Sequence, residues 1–404
     1  MNILTFTTLW PNSEQPNFGL FVKQRAAALA EQPDVRLRVI APVPYFPKWL
    51  DFDFVPAHWR RMARVAERET VAGLETFHPR YFNPPKVGMR FYGRWMARGV
   101  LDLVKRLHAE APFELIDAHY VYPDGDAAVR VGEALRVPVC VTARGTDINL
   151  FAQLPAIGRL IRRTLQRAQG IVAVSAALKE RMVELGIEPE RIAVIRNGID
   201  RAVFQPYDQQ PARAKLGLAA DAKILVSVAA LVPLKRLDRL IEAMQLIAQT
   251  QPLARLYVIG EGPERAALTA QIAASSLQDK VFLLGAKPQR ELADWYTAAD
   301  LFCLASQREG CPNVVIEALA CGTPVVASDV GGIGELLADD CCGRLVPQMQ
   351  ADAAGWARRL TEALSVKWER ETIAARGGAR SWAQVADEVL AYYARVGLLN
   401  HHIR

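Results

Sequence analysis

The sequence has no run of about 18 apolar residues, so it offers no helix able to cross a membrane. Its opening segment, MNILTFTTLW, lacks a basic leader and a small-residue cleavage pattern, and it reads as a first strand. There are only six cysteines: Cys140, Cys303, Cys311, Cys321, Cys341 and Cys342. None of them forms a paired metal-ligand spacing, and adjacent Cys341 and Cys342 make a poor disulfide. That usage predicts a reducing compartment, the cytoplasm, and no bound metal. Low-complexity tracts and short repeats are absent as well, which sets fibrous and solenoid architectures aside. What is there is ordinary for a soluble globular chain: 51% apolar and 23% charged over 404 residues, enough for two or three domains.

The net charge of +6 is unevenly placed. Between Trp59 and Arg106 stand eleven Lys/Arg against four Asp/Glu. The stretch RFYGRWMARGVLDLVKRLH interleaves Arg90, Arg94, Arg98, Lys105 and Arg106 with Phe91, Tyr92, Trp95 and Met96. This pattern fits a solvated helix face, or a surface for anionic membrane or lipid phosphate. No nucleic-acid motif accompanies it, so nucleic acid is not an expected partner.

Short β-branched runs alternate with helical patterns from end to end. Continuous rather than alternating apolar runs predict parallel strands buried on both faces. Strand–helix alternation predicts α/β, doubly wound sheets. The candidate strands of the first half are 2–9, 35–42, 115–120, 137–142, 170–174 and 192–195. Those of the second half are 223–229, 255–259, 281–284, 301–304, 324–327 and 344–346. Pro206, Pro211 and a pair of glutamines suggest a linker near 203–222. The expected organisation is thus two tandem Rossmann-like domains, 1–205 and 206–380, facing a shared cleft. A C-terminal helix, 381–404, carries Trp382, Val385, Val389, Leu390 and Tyr393 at helical spacing and is expected to pack back on the first domain. Ligands of open α/β sheets bind at the carboxyl ends of the strands.

The segment EGCPNVVIEALACGTP, Glu309 to Pro324, carries the chemistry. Pro312 suits a helix start and Gly322 its end. A strand, a glycine-containing turn and a helix N-terminus together form an anion site. Within this apolar helix sits one carboxylate, Glu317, and a second, Glu309, stands eight residues earlier. A buried carboxylate needs partners. Sugar or ribose hydroxyls would serve, and so would an interior arginine.

Glu309 and Glu317 form the E-x7-E pattern of the family 4 retaining glycosyltransferases, and SQREGCPNVVIEALACGTPVVASDVGGIGEL resembles that family's signature closely. VAALVPLKRLDRLIEA, YVIGEGPER, VIRNGIDRAVFQP, IDAHYVYPDG, VTARGTDIN and AVSAALKERMVELGI resemble further blocks, so the resemblance spans roughly residues 1–350. It implies the two-domain GT-B fold, with the first domain binding the acceptor and the second a nucleoside-diphosphate sugar. It also implies transfer of a hexosyl unit with retained configuration, without metal or other cofactor. The acceptor would be a hydroxyl, lipid-linked or otherwise, in surface polysaccharide or glycolipid assembly at the inner face of a membrane.

Residue by residue, the resemblance places Glu309 on the donor hexose, with backbone amides of Gly310, Cys311, Pro312, Asn313 and Val314 around it (Pro312 lacking an N–H of its own). Glu317 would hold the ribose, Lys235 the diphosphate, and the loop at Ala286 and Lys287 the nucleobase. Gly19 would let backbone approach phosphate or acceptor. His119 would stand near the reacting sugar, its alternative being a core or helix-capping histidine. Where the family commonly has a second diphosphate-clamping arginine, this chain has Ala230; Arg236, Arg308 and Arg144 are candidate substitutes. A non-catalytic or impaired sugar-nucleotide binder and a sugar-nucleotide 2-epimerase are the alternatives. DFD at 51–53 and DGD at 124–126 have the spacing of a metal-binding DxD, but Asp124 is expected to cap a helix. GEGPER at 260–265 lacks the third glycine of a dinucleotide fingerprint.

Overall fold

The computed structural model describes residues 1–46, 57–84 and 88–398; the DFD at 51–53 lies outside them. The chain divides into two compact units, Met1–Gly198 with Trp382–Arg404, and Ile199–Ser381.

The strands of the first unit are β1 (Asn2–Phe6), β2 (Arg36–Ile40), β3 (Val43–Pro44), β4 (Arg68–Val71), β5 (Leu74–Phe77), β6 (Arg80–Tyr81), β7 (Leu115–His119), β8 (Val139–Ala143), β9 (Gly170–Ala173) and β10 (Ile192–Val194). Eight of them form one sheet in the order β10-β9-β8-β7-β1-β2-β5-β4. Every pairing in it is parallel except β4–β5. That antiparallel edge hairpin departs from the expectation of parallel strands alone. Its turn, Ala72–Gly73, has positive φ at both residues (53° and 77°), the twist a two-residue hairpin needs. The chain runs from β1 outward to β2, then returns to place β7 on the other flank of β1. This reversal opens a crevice at the carboxyl ends of β1 and β7.

The last helix, Trp382–Arg395, belongs to this unit. Trp382, Val385, Ala386, Val389 and Tyr393 join Val22, Ala26 and Leu29 of the Leu20–Ala30 helix in one core. Its spacing of i, i+3, i+4 and i+7 puts these side chains on one face. Tyr392 Oη anchors the helix by accepting from Ile171 N at 2.8 Å.

The second unit has β11 (Lys223–Val228), β12 (Ala254–Ile259), β13 (Val281–Gly285), β14 (Leu301–Leu304), β15 (Val325–Ser328) and β16 (Gly343–Val346), all parallel, in the order β13-β12-β11-β14-β15-β16. Side-chain alternation sends the two faces of each strand into separate cores. Leu225, Leu301, Cys303 and Val326 pack under Leu237, Leu240, Ile241 and Met244. Ile224, Val226, Phe302, Leu304, Val325 and Ala327 pack under Val315, Ile316, Ala318 and Leu319. Each fully buried side chain of this size contributes about 1.5–3 kcal/mol relative to exposure. Here the reversal lies between β11 and β14.

The linker expected at 203–222 is structured. Phe204 is buried in the second core, and Gln209–Leu216 is a helix. Arg213 ties that helix down, donating to the carbonyls of Ala298, Ala220 and Ala222 and to Asp300. Residues 199–205 therefore go with the second unit rather than the first.

Candidate functional site

Sheet order explains why two residues 74 apart in sequence touch. Lys235 follows β11 and Glu309 follows β14, the two strands flanking the reversal. Lys235 Nζ donates to Glu309 Oε1 at 2.6 Å, and both side chains are mostly buried. Behind them, Gln307 N donates to Leu234 O at 2.9 Å, locking the two loops together. The loop after β15 fixes the other side. Gly332 N donates to Gly310 O at 2.9 Å, and Gly331 (φ 55°) lies so close to the Glu309 carbonyl that an added Cβ would overlap it. Only glycine combines that approach with that backbone at no steric cost.

Gly310 and Cys311 lead to Pro312, which is the N-cap of the Asn313–Ala320 helix rather than its first residue. Pro312 has no side-chain acceptor of its own, and the positive end of the helix dipole lies at Pro312 and Asn313. Val314 is half-buried at this end, and Val315 to Ala320 are buried.

Glu317 is 8% exposed. Its partners are neutral: the Tyr296 hydroxyl donates to Oε2 at 2.9 Å, and Gln289 bonds to it as well. Among the described residues no arginine pairs with it. Burial raises its carboxyl to about 7, against the two hydrogen bonds that favour the charged form. Lys287 stands in the loop after β13 and pairs with Glu291 at 2.8 Å. Tyr296, Gln289 and Glu291 all sit in the Gln289–Ala298 helix, which packs beside the Asn313–Ala320 helix. Sequence reasoning missed Tyr296; a tyrosine in a helix carries no local sign of a carboxylate partner one helix away.

In the first unit, Gly19 lies after β1 and His119 is the last residue of β7. Gly19 takes φ 65° at the start of the Leu20–Ala30 helix, and an added Cβ would overlap the Leu9 carbonyl. His119 is fully buried. Arg144 Nη2 lies 2.6 Å from its Nδ1, and Asp117 Oδ2 lies 3.2 Å from its Nε2. A guanidinium only donates, so Nδ1 accepts and Nε2 carries the proton. Burial lowers this imidazole to about 4, with Arg144 acting in the same sense and Asp117 opposing.

Asp117 also pairs with Arg25, itself fully buried, at 3.3 Å. Burial alone would raise the Asp117 carboxyl, but Arg25 overrides this and holds it well below the usual range. Arg25 further donates to Tyr393 of the last helix at 3.3 Å and to Thr142 at 3.2 Å. The network Tyr393–Arg25–Asp117–His119–Arg144 was not foreseen from sequence.

The three candidate replacements for the second diphosphate cation are placed differently. Arg236 is held by Asp238 at 2.9–3.2 Å. Arg144 belongs to the first unit, where it also donates to Asn197 at 3.0 Å and lies over the Phe21 ring. Arg308, next to Glu309, forms no ion pair among the described residues. Asp124 does not cap the following helix as expected. Its buried carboxylate accepts from Thr8 N at 2.6 Å and Thr8 Oγ1 at 2.9 Å, while Asp126 pairs with Arg130. Burial raises Asp124 to about 7. Gly260 and Gly262 of GEGPER lie against the backbone leaving β11, at Ala229 and Leu231.

Comparisons with known proteins fit this geometry. Residues 208–379 match the family described as glycosyl transferases group 1, and residues 64–203 match glycosyltransferase family 4. A Bacillus subtilis protein named as a teichuronic acid biosynthesis glycosyltransferase is 30% identical over 341 residues, 83% of each chain. A D-inositol 3-phosphate glycosyltransferase of Kineococcus radiotolerans is 31% identical over 320 residues, 71% of this chain and 73% of its own. Sucrose-phosphate synthase of Thermosynechococcus elongatus superposes with a TM-score of 0.76 at 20% identity, covering 98% of both chains. Anabaena HepE in complex with UDP gives 0.73 at 20% identity, over 98% of this chain and 100% of its own. The chain has the GT-B fold and belongs to the group 1, family 4 glycosyltransferases.

Proposed function

We propose that this glycosyltransferase moves a hexosyl unit from a nucleoside-diphosphate sugar to a hydroxyl acceptor, with retained configuration and without a metal ion. The observation that carries the reading is the Lys235–Glu309 contact in the turn that leads into the N-terminus of the Asn313–Ala320 helix. A diphosphate would draw Lys235 and face the helix dipole, freeing Glu309 to accept hydroxyls of the hexose. Glu317, bonded to the neutral Tyr296 and Gln289, would accept the two ribose hydroxyls and become charged as it does so. The loop of Ala286 and Lys287 would face the base, as in the family. Anabaena HepE, which shares the fold, has been solved with UDP, with UDP and glucose, and with UDP-glucose, which supports a donor of this class.

In the reaction, the acceptor oxygen bonds to the anomeric carbon on the face from which the diphosphate leaves. The carbon–phosphate-oxygen bond breaks, and the acceptor proton passes to the departing phosphate oxygen. No side chain need form a covalent intermediate. Lys235 and the helix terminus stabilise the charge that develops on the leaving group, and Glu309 and Glu317 hold the sugar nucleotide in position. The first unit supplies the acceptor side, with Gly19 in the loop after β1. His119 acts there by fixing Arg144, from whose guanidinium its Nδ1 accepts.

A teichuronic acid relative supports surface-polymer assembly as the setting. Exposed Phe82, Phe91, Arg94 and Arg98 support a peripheral membrane contact at that acceptor side. Trp95 and Met96 do not belong to such a face: Met96 is buried, and Trp95 packs on Phe82, Phe91 and Tyr92. No helix among the described residues is long and apolar enough to cross a membrane.

Ala230 keeps a non-catalytic sugar-nucleotide binder as the second reading. The experiment is a donor screen by thermal shift, with and without divalent metal, followed by turnover of the donor that stabilises. Transfer to an added acceptor in chelator supports the proposal. Isomerised donor without transfer, or binding without turnover, overturns it.

A further inference from the structure

A basic cavity lies in the second unit. It encloses about 400 Å³ and is lined by Arg236, Arg239, Ser306, Arg308, Ser328 and Gln348, with Ala305, Gln307 and Ala351. None of Lys235, Lys287, Glu309 or Glu317 is in its wall. Its residues come from the start of the helix after β11, the loop after β14, the end of β15 and the turn after β16. It therefore sits at strand carboxyl ends, where open α/β sheets take ligands. Its helical wall is Leu237–Thr250, which packs on the sheet face opposite the Asn313–Ala320 helix.

Three guanidinium groups and no carboxylate line it. Asp238 and Glu242 pair with Arg236 and Arg239 at 2.9 and 2.7 Å without forming part of the wall. The side chains of both pairs are 25–38% exposed, so water screens them and a dianion can compete for either arginine. Two donors of this wall are buried without a protein partner: Ser306 Oγ, on a residue 1% exposed, and Arg239 Nε. Buried donors are ordinarily satisfied, and an orphan is costly until something accepts from it. Arg236 adds an independent sign. It holds φ 48°, a left-handed conformation that suits glycine, and strain of this kind gathers at ligand sites.

We propose that this cavity binds the phosphate of a small phosphorylated molecule, at a site separate from the sugar-nucleotide site. Arginine forks match phosphate oxygens in pairs, Ser306 and Arg239 Nε would find their missing acceptor, and the volume admits a phosphate with an attached hexose.

The test is calorimetric titration of the full chain with inorganic phosphate and with a hexose phosphate, chloride held constant. Arg239→Gln and Ser306→Ala each remove one donor. The expected result is tenfold or greater weakening of phosphate binding in Arg239→Gln and a smaller loss in Ser306→Ala, with nucleotide-sugar affinity unchanged in both. Glu317→Gln should do the reverse, so failure of the donor assignment would show separately. Tighter binding of the hexose phosphate than of phosphate names the fuller ligand; equal binding names the anion alone. No heat at millimolar phosphate, equal affinity in wild type and Arg239→Gln, or displacement by the nucleotide sugar overturns the proposal.

Discussion

Glu317→Gln separates what the buried carboxylate does for the ligand from what it costs the empty fold. Glu317 has an ordinary value of 4.5, raised to about 7 in the folded chain, chiefly by burial. The folded state therefore holds the proton more tightly than the unfolded state. That contribution to stability is full below about 4.5 and is lost as pH rises through about 7. At about 1.4 kcal/mol per pH unit, the wild-type chain is roughly 2.5 kcal/mol worse off at pH 8 than at pH 5 on this account. Glutamine is neutral throughout and keeps an acceptor for the Tyr296 hydroxyl. The substitution should thus stabilise the ligand-free second unit at pH 8 and be close to neutral at pH 5. For a unit of about 180 residues, 2.5 kcal/mol corresponds to roughly 5–10 °C in melting temperature. The same change should weaken nucleotide-sugar binding about 10- to 100-fold at pH 8, the loss of a charged acceptor for two hydroxyls. Melting curves at both pH values, without and with donor, read both effects. Equal melting shifts at pH 5 and pH 8 would refute the reasoning about burial. Unchanged donor affinity would refute the ribose role.

Glu309→Ala and Lys235→Ala should each cut transfer by about 10²–10³-fold, since each removes a group acting on the reacting sugar or its leaving group. Circular dichroism should be unchanged in both, and retained turnover in either would contradict the assignment. His119, lowered to about 4 by burial, should show no imidazole titration between pH 5 and 8 by NMR; a midpoint near 6.5 would contradict the Arg144–His119 geometry. Because its folded value lies below the unfolded 6.5, His119 should also reduce stability as pH falls from 6.5 toward 4. Gly19→Ala should destabilise the first unit by about 1–3 kcal/mol, through positive φ and overlap with Leu9, as read by denaturant melts.

Much of the fold was legible because buried parallel strands announce themselves. The runs at Leu301–Leu304 and Val325–Ser328 are apolar on both faces, and the helix between them ends at Gly322, whose φ of 75° only glycine adopts freely. The β4–β5 hairpin was not legible. Its polar strands lie in a basic stretch, and its turn is Ala72–Gly73 rather than a pair such as Asn–Gly that signals a hairpin. The segment 203–222 looked like a linker from its prolines and glutamines, yet Phe204 and Arg213 find buried partners far along the chain. Those partners are invisible to local composition.

The sequence by itself determined the alternation of strands and helices, the pair of acids eight residues apart, and the turn chemistry around them. These follow from backbone preferences and from the spacing of apolar side chains, which act over a few residues. The tertiary structure decided which distant groups meet: Lys235 with Glu309, Tyr296 with Glu317, and Arg25 with Asp117, His119 and Tyr393. Strand order and burial set those meetings. A carboxylate becomes a neutral acid near pH 7, or a firmly ionised one, only when the fold has chosen how much water and which cation it keeps.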